Sequence, residues 1–335
     1  MARRCRDDSV MPPLGLADVY AARQRLAGLV RRPPLQPSPA LSAIAGGEVR
    51  LKLECLQETG SFKLRGATNK LASLDAEARA RGVIAVSTGN HGRAVAFAAK
   101  RLGVRAVVCL SRLVPENKVR AIRDLGTEVV IDGESQDAAE VVAERLIEAQ
   151  GLVYVHPFDD PAVLTGQGTI GLELIEDWPE LDTCLVPLSG GGLMGGIALA
   201  LKAARPGVRL IGITMEQGAA MHESIKAGRP VEVEERPSLA DSLGGGIGLH
   251  NRLTFALCRE LVDETLLLSE AQIAAGMRHL FMAERLVAEG GAAVGIAALL
   301  AGKVDLAGRR TAILVSGQNI DTARFLDIVG KGGDG

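Results

Sequence analysis

The sequence predicts an α/β protein built on a mainly parallel, doubly wound β-sheet. Hydrophobic residues make up 47% of the 335 residues, but aromatic residues only 3%, so the core must consist of Ala, Val, Leu and Ile. Parallel sheets that are covered by helices on both faces use this mixture. Short β-rich runs also alternate with longer Ala- and Leu-rich runs along the whole chain. Such repeated β-α-β units favour a parallel sheet.

The predicted strands follow one another at regular intervals, and a helical pattern such as HGRAVAFAAKRLG follows nearly every one of them. In chain order the β-rich runs are VRLKLE (49–54), VIAVS (83–87), RAVVCL (105–110), EVVID (128–132), LVYV (152–155), TCLVPLS (183–189), RLIGIT (209–214), ETLLLS (264–269) and RTAILVS (310–316).

Composition and charge exclude several classes of function. The 38 basic and 40 acidic residues nearly cancel, which argues against a protein that binds nucleic acid. No apolar run reaches the ~18 residues of a membrane-spanning helix, and no apolar segment follows the first arginines as in a secretory signal. The cysteines stand far apart, so we expect neither disulfides nor a metal site, and a cytoplasmic location; they are Cys5, Cys55, Cys109, Cys184 and Cys258.

Glycine and polar residues cluster at four junctions between a predicted strand and the segment that follows it. These are ETGSFKLRGA (58–67), STGNHGR (87–93), SGGGLMGG (189–196) and SGQN (316–319). Ligands of doubly wound proteins bind at the carboxyl ends of the strands. The four junctions are therefore the candidate functional segments.

The junction SGGGLMGG predicts an anion site, since backbone N–H groups and the positive end of a helix dipole meet there. Two alternatives remain open. The glycines Gly190, Gly192 and Gly195 also satisfy GxGxxG, and Glu216 follows at the distance of the acid that binds a ribose in a dinucleotide site. In the second alternative, the segment is a tight turn that binds no ligand.

The junction SFKLRGA places Lys63, next to Phe62, at the start of a helix, where the helix dipole disfavours a cation. A lysine that forms an imine benefits from anything that lowers its pKa. Taken alone, Lys63 is better explained as a solvated lysine at a helix start.

The two other junctions offer single polar groups. STGNHGR supplies Thr88, Asn90 and His91 as polar groups of a site. The alternative is that these residues only form a turn and a helix cap. SGQN supplies the Ser316 hydroxyl at the end of the last strand, or a polar turn.

Together, SFKLRGA, STGNHGRA, SGGGLMGG and SGQN, in this order, resemble the fold-type II pyridoxal-phosphate (PLP) enzymes, in the branch of threonine and serine dehydratases and serine racemase. The likeness runs from GLADVYAARQRL through PFDDPAVLTGQGTIGLEL to ILVSGQN. It implies the tryptophan synthase β-like fold, with two open, twisted, mainly parallel sheets flanked by helices.

The resemblance also assigns roles to residues. Lys63 would hold PLP as an internal aldimine with Phe62 against it, Asn90 would bind the 3′-oxygen of the ring, and Ser316 would face the pyridine nitrogen. The phosphate would bind to the N–H groups of Gly190, Gly191, Gly192 and Leu193. The substrate would bind to Ser87, Thr88, Gly89, Asn90, His91 and Arg93.

The implied reaction is the conversion of a β-hydroxy L-amino acid to a 2-oxo acid and ammonia by β-elimination. The amino acid would be of the threonine or serine type, or one derived from hydroxyectoine. The second option arises because the STGNHGRA variant and the high use of Arg over Lys resemble the hydroxyectoine-utilization dehydratases. Lys63 would remove the α-proton. Thr88 stands where racemases carry a serine as second base, so amino-acid racemisation is the alternative; an NAD-dependent oxidoreductase, resting on Glu216, is a remote one.

Two positions depart from the pattern of the relatives. Arg93 stands where they commonly carry glutamine, which puts a cation beside the substrate loop. His222 stands where the metal-binding members carry an acid after Glu216, so no metal is expected.

The predicted organisation is a large PLP-binding domain of residues 1–75 and 160–335 with a small domain, residues 76–159, inserted into it. The cofactor would lie between the two. The expected partners are an amino-acid substrate and a second copy of the chain in a homodimer, with no nucleic acid and no membrane.

Overall fold

The computed structural model describes residues 14–331 except residues 88, 113, 115, 134 and 135. Its helices are α1 (Leu16–Leu26), α2 (Pro39–Ala45), α3 (Lys63–Ala72), α4 (Ala76–Arg81), α5 (Asn90–Leu102), α6 (Glu116–Arg123), α7 (Gln136–Gln150), α8 (Pro161–Asp177), α9 (Gly192–Ala204), α10 (Ala220–Ala227), α11 (Leu253–Leu261), α12 (Glu270–Met282), α13 (Gly290–Leu300) and α14 (Thr322–Gly330). Its strands are β1 (Leu35–Pro37), β2 (Glu48–Lys52), β3 (Val83–Val86), β4 (Ala106–Leu110), β5 (Glu128–Ile131), β6 (Val153–Tyr154), β7 (Thr183–Pro187), β8 (Arg209–Met215), β9 (Glu264–Leu268) and β10 (Arg310–Leu314).

The strands form two sheets. The larger has the order β1-β2-β10-β7-β8-β9 and is parallel except for the pair β1–β2. The smaller has the order β5-β4-β3-β6 and is parallel throughout. The predicted α/β class with two mainly parallel sheets flanked by helices is thereby confirmed. The division of the chain into two domains at residues 75 and 160 stays a prediction.

The large sheet is buried on both faces, as its continuous apolar strands require. On β10, Ile313 packs into a core with helices α2, α12, α13 and α14, whereas its neighbours Ala312 and Leu314 pack into a second core with α8, α9, α10 and α11. In the described part of the chain, no helix combines the length and the hydropathy needed to cross a bilayer.

Glycines set the spacing of α3, α8 and α9. A Cβ on Gly66 of α3 would lie 2.8 Å from the carbonyl oxygen of Val163 on α8, and one on Gly166 of α8 would lie 2.8 Å from that of Arg65. On α9, a Cβ on Gly196 would lie 2.4 Å from a carbonyl oxygen of α8. The three backbones therefore touch, which fixes the start of α3 relative to the start of α9.

A buried ion cluster anchors α3 to β2 and α8. The Arg65 guanidinium donates to both Glu54 oxygens at 2.9 and 2.8 Å and to both Glu173 oxygens at 2.6 and 2.8 Å. Lys52 Nζ donates to Glu173 at 2.6 Å and to the carbonyl oxygen of Pro33 at 2.6 Å. Burial would lower the pKa of Arg65, but the charges and hydrogen bonds of the two carboxylates raise it. Two cations and two anions balance, so α3 is held by a neutral set of ions.

Candidate active site

The fold brings the four junctions together. The backbone N–H of Phe62 donates to the carbonyl oxygen of Ser316 at 3.0 Å, and Ser61 bridges to Gly317, so SFKLRGA lies beside SGQN. Asn319 of SGQN donates to Asn90 of STGNHGR at 2.6 Å. The glycine junction meets this group at the segment 157–158, which contacts Lys63 and the glycines at once.

Lys63 is the first residue of α3 and is partly buried. Its Nζ donates to the carbonyl oxygen of Pro157 at 2.7 Å and lies 5.4 Å from the centre of the Phe62 ring. Desolvation lowers the pKa of Lys63 to about 8, although the negative charge of Glu289 opposes the shift. Close to neutral pH a substantial fraction of this amine is therefore uncharged and nucleophilic.

The glycine junction forms a tight loop that ends as the first turn of α9. Gly191 is the N-cap with φ +85°, and no side chain caps the helix. A Cβ on Gly190 would lie 2.3 Å from the Phe158 ring, and one on Gly192 would lie 2.8 Å from the Phe158 Cβ, so only glycine fits. Leu193 follows, buried, in the same turn. The N–H groups of this uncapped helix start are suited to a phosphate.

The amide of Asn90 belongs to a network that spans three elements. Asn90 Nδ2 donates to the Glu289 carboxyl at 2.9 and 3.1 Å, and Asn90 Oδ1 accepts from Asn319. Arg93 Nη1 donates to Asn319 Oδ1 at 2.9 Å. Burial raises the pKa of Glu289 to about 7, against the hydrogen bonds from Asn90 and Ser242.

His91 is buried beneath the loop rather than open to it. Its Nε2 lies 2.7 Å from the carbonyl oxygen of Val155. Burial, and next the charge of Lys63, lowers the pKa of His91 to about 3. The ring is therefore neutral, donates from Nε2, and leaves Nδ1 without a partner among the described residues. Its predicted contact with the substrate stays a prediction.

The remaining predicted residues lie near this centre. Ser87 Oγ accepts from the N–H of Gly89 at 3.3 Å, and Gly89 is the N-cap of α5. Ser316 is 3% exposed, and its Oγ makes no hydrogen bond to any residue that the structure describes. Thr88, predicted as the second catalytic residue, lies outside the described residues.

Glu216 and His222, which bear on the alternative functions, are engaged elsewhere. Glu216 is half-exposed, 3.8 Å from Lys303, and His222 Nδ1 lies 2.7 Å from Thr265 Oγ1. Among the described residues there is no group of three or more His, Cys, Asp or Glu side chains arranged to hold a metal.

Sequence reasoning missed Glu289, and it assigned no role to Asn319 or to the Pro157 carbonyl. A signal for Glu289 exists: the acid directly precedes GGAAVG and forms the N-cap of α13, so it repeats the pattern of a polar residue before a glycine-rich helix start.

The residues present fit PLP on their own chemistry. An amine with a lowered pKa suits the aldehyde, a glycine loop at a helix start suits the phosphate, and the buried Ser316 hydroxyl, which has no partner among the described residues, suits a ring nitrogen.

Comparisons with known proteins agree with this fit. The sequence profile of the family described as "Pyridoxal-phosphate dependent enzyme" matches residues 26–317. A putative threonine dehydratase of Sinorhizobium fredii is 54% identical over 94% of this chain and 95% of its own. The L-threonine ammonia-lyase of Thermotoga maritima is 43% identical over 95% of this chain and 78% of its own. The structure of maize serine racemase superimposes with a TM-score of 0.90 and 33% identity, covering 96% of this chain and 98% of that one.

Proposed function

Since the chain belongs to the family of pyridoxal-phosphate-dependent enzymes and is a lyase, we propose that it converts L-threonine or L-serine to a 2-oxo acid and ammonia. The family assignment confirms the predicted fold, the predicted PLP cofactor and the predicted enzyme class. The observation that carries the proposal is Lys63, an amine with a pKa of about 8 that meets a carbonyl oxygen and no carboxylate at the centre of the site.

The cofactor would be held by residues from all four junctions. Lys63 would bind its aldehyde carbon, with Phe62 beside it, and Ser316 would meet its ring nitrogen. Asn90 would donate to its ring oxygen. The N–H groups of Gly190, Gly191, Gly192 and Leu193 would bind its phosphate. When bound, PLP withdraws electrons from the α-carbon of the amino acid and so acidifies the α-proton.

Lys63 serves as the general base in this proposal. With PLP and substrate bound, the free amine of Lys63 would accept the α-proton at Nζ. A base works best when its pKa lies near the working pH, and the desolvated site brings the pKa of Lys63 to about 8. A solvated lysine, with a pKa near ~10.4, would be almost fully protonated at pH 7 and a poor base.

The substrate carboxylate would bind at the start of α5. Among the described residues no side chain caps this helix or α9, so its first N–H groups and its dipole are suited to an anion. We propose that Ser87, Thr88, Gly89 and Asn90 line this position, with the neutral ring of His91 beneath it. Arg93, predicted in the same group, donates to Asn319.

We expect elimination to prevail over racemisation. A serine hydroxyl at the ring nitrogen cannot keep it protonated as a carboxylate would, so a long-lived negative charge on the α-carbon is disfavoured. Departure of the β-hydroxyl as the proton is removed relieves this. A racemase needs a second base on the opposite side, a role for which the Thr88 hydroxyl is a poor candidate.

The test is an assay of the purified holoenzyme with L-threonine, L-serine and larger β-hydroxy amino acids, including one derived from hydroxyectoine. We expect more 2-oxo acid and ammonia than D-isomer. Lys63→Ala should remove the visible absorption of the lysine-bound cofactor and lower kcat by at least about 10³-fold. Lys100→Ala, on the exposed end of α5, is the matched control and should change neither.

Two outcomes would contradict the proposal: a D-isomer that forms faster than the 2-oxo acid, or a Lys63→Ala variant that keeps the absorption and the turnover.

We also propose that the protein works in the cytoplasm and as a homodimer; the mass of the holoenzyme by light scattering tests the second point.

A further inference from the structure

A continuous chain of side-chain hydrogen bonds leads from Arg93 to the centre of the site. Arg93 Nη1 donates to Asn319 Oδ1 at 2.9 Å. Asn319 Nδ2 donates to Asn90 Oδ1 at 2.6 Å and to the carbonyl oxygen of Thr59 at 2.8 Å. Asn90 Nδ2 then donates to the Glu289 carboxyl. Three hydrogen bonds and two amide side chains thus separate Arg93 from the carboxyl at the far end.

The direction of this chain follows from the chemistry of its first member. A side-chain amide has two orientations, which exchange its oxygen acceptor and its nitrogen donor. A guanidinium has donors only. Arg93 therefore accepts only the orientation of Asn319 in which Oδ1 faces it and Nδ2 faces Asn90. With its Oδ1 occupied in this way, Asn90 must turn its Nδ2 donor away from Asn319 and into the site.

The far end of the chain fixes the same direction less firmly. An ionised Glu289 carboxylate only accepts, which agrees with the orientation set by Arg93. However, burial raises the pKa of Glu289 to about 7, so near neutral pH a part of the molecules carries a protonated carboxyl that can also donate. Arg93 is the end of the chain whose donors do not depend on pH.

The amide between them has little freedom to move. A Cβ on Gly60, which has φ +76°, would lie 2.6 Å from Asn319 Oδ1, so the loop before Lys63 packs directly against this amide. The chain also joins elements that are far apart in sequence: Asn90 and Arg93 lie on α5, whereas Asn319 follows β10. The amide is held in this position, and the carbonyl oxygen of Thr59, which only accepts, favours the same orientation as Arg93 does.

We propose that Arg93 is a positioning residue, which through Asn319 fixes the orientation in which Asn90 presents its Nδ2 donor to the ring oxygen of PLP. This rests on the proposed function, in which Asn90 contacts the cofactor. Arg93 then acts on the electronic state of the cofactor without touching the substrate. With glutamine at this position, the side-chain oxygen can accept from Asn319, and only the Thr59 carbonyl oxygen then opposes reversal of the two amides.

The test uses holoenzyme variants at position 93. Arg93→Gln offers an acceptor to Asn319, whereas Arg93→Lys keeps a side chain that only donates. We expect Arg93→Gln to shift the visible absorption of the lysine-bound cofactor and to lower kcat about 3- to 10-fold, the rate equivalent of one hydrogen bond. The factor should be the same for L-threonine and L-serine. Arg93→Lys should lie closer to the wild type in both readouts.

Two further variants separate orientation from general damage. Asn319→Asp keeps an acceptor for Arg93 but removes the donor to Asn90, so it should reproduce the spectral shift of Arg93→Gln. Arg105→Gln is the matched control, because Arg105 pairs with Glu128 on the surface, and it should leave spectrum and kcat unchanged.

The inference is overturned if Arg93→Gln keeps the wild-type spectrum and instead changes the preference between L-threonine and L-serine, since Arg93 would then contact the substrate. It is also overturned if Arg93→Gln and Arg93→Lys behave alike. Failure of the proposed function looks different: the wild-type holoenzyme itself would form no 2-oxo acid, whatever stands at position 93.

Discussion

Lys63 and Arg65 stand two positions apart on α3, the first partly and the second fully buried, but burial has opposite consequences for them. Lys63 meets a single carbonyl oxygen, and its pKa falls to about 8. Arg65 meets two carboxylates, and its pKa rises. A buried cation without a counter-ion becomes a reactive amine, whereas one with counter-ions becomes a fixed part of the scaffold.

The geometry of the helix makes this separation possible. Residues i and i+2 point about 200° apart around a helix axis, so the two side chains leave α3 on opposite sides. Lys63 points to the segment at Pro157, and Arg65 points to Glu54 and Glu173. One short helix therefore carries the proposed base on one side and its anchor on the other.

The largest difference should be seen in stability. Arg65→Met leaves the buried Glu54 carboxylate without its cation and Glu173 with Lys52 alone, which should lower the free energy of unfolding by about 3–5 kcal/mol. Lys63→Met removes a desolvated amine that hydrogen-bonds to a carbonyl oxygen and forms no ion pair with a described residue, and it should leave stability unchanged or raise it. Urea unfolding of both variants in the cofactor-free form measures the contrast.

A surface pair supplies the control for that comparison. Arg81→Met breaks the exposed pair between Arg81 and Glu77 on α4 and should cost within about 0.5 kcal/mol. Equal losses for Arg65→Met and Arg81→Met would mean that the buried cluster does not anchor α3.

The second expectation concerns pH. The Lys63 amine attacks an aldehyde only when it is neutral. Its pKa of about 8 means that it loses its proton around pH 8. Covalent attachment of PLP to the cofactor-free protein should therefore accelerate about tenfold per pH unit below pH 8 and then level off. An ordinary lysine would continue to gain up to about pH 10.

The rate at which the visible absorption appears between pH 6 and pH 10 measures this dependence. A simple alkylamine, reacted with PLP under the same conditions, corrects for ionisation of the cofactor itself. A rate that is still rising above pH 9 would show that burial does not lower the pKa of Lys63.

The smallest expected effect on stability tests whether the buried ion cluster around Arg65 needs equal numbers of cations and anions. Lys52→Met removes one of the two cations bound to Glu173, while Arg65 still holds both oxygens of that carboxylate. The loss should be about 2 kcal/mol, typical of one hydrogen bond to a charged group. Lys52→Met combined with Glu173→Gln restores neutrality and should recover part of that loss in the same urea titration. A double variant that is less stable than the sum of the two single variants would contradict the account.

The fold followed from local patterns more completely than the site did. Every predicted β-rich run contains a strand, because apolar runs bounded by turns are a local signal. Strand β1 was not predicted: it has three residues, ends in Pro37 and pairs antiparallel at the edge of the sheet, so neither length nor pattern marks it.

The four junctions were predictable as segments, but their mutual contacts were not. Asn90 reaches Glu289, 199 positions away, and Asn319, 229 positions away, and no short pattern encodes such a pairing. The partner of Lys63 is a backbone carbonyl, which any residue type supplies. Unpaired burial, the property that sets Lys63 apart, arises only when these distant segments fold together.

The close contact of α3, α8 and α9 also decides where this enzyme can change over evolution. Gly66, Gly166 and Gly196 admit no side chain, and each interior helix glycine costs about 1 kcal/mol relative to alanine, so the protein carries a standing cost to hold these backbones together. Most substitutions at these three positions in a directed-evolution library should give variants that do not fold or have no activity. The start of α5 carries no such restraint at Gly89, where a Cβ would meet nothing within 4 Å. New substrate preferences should therefore emerge around Gly89 and not at Gly92, where a Cβ would lie 2.6 Å from the carbonyl oxygen of Ser87, while the frame that places the lysine against the glycine loop is inherited unchanged.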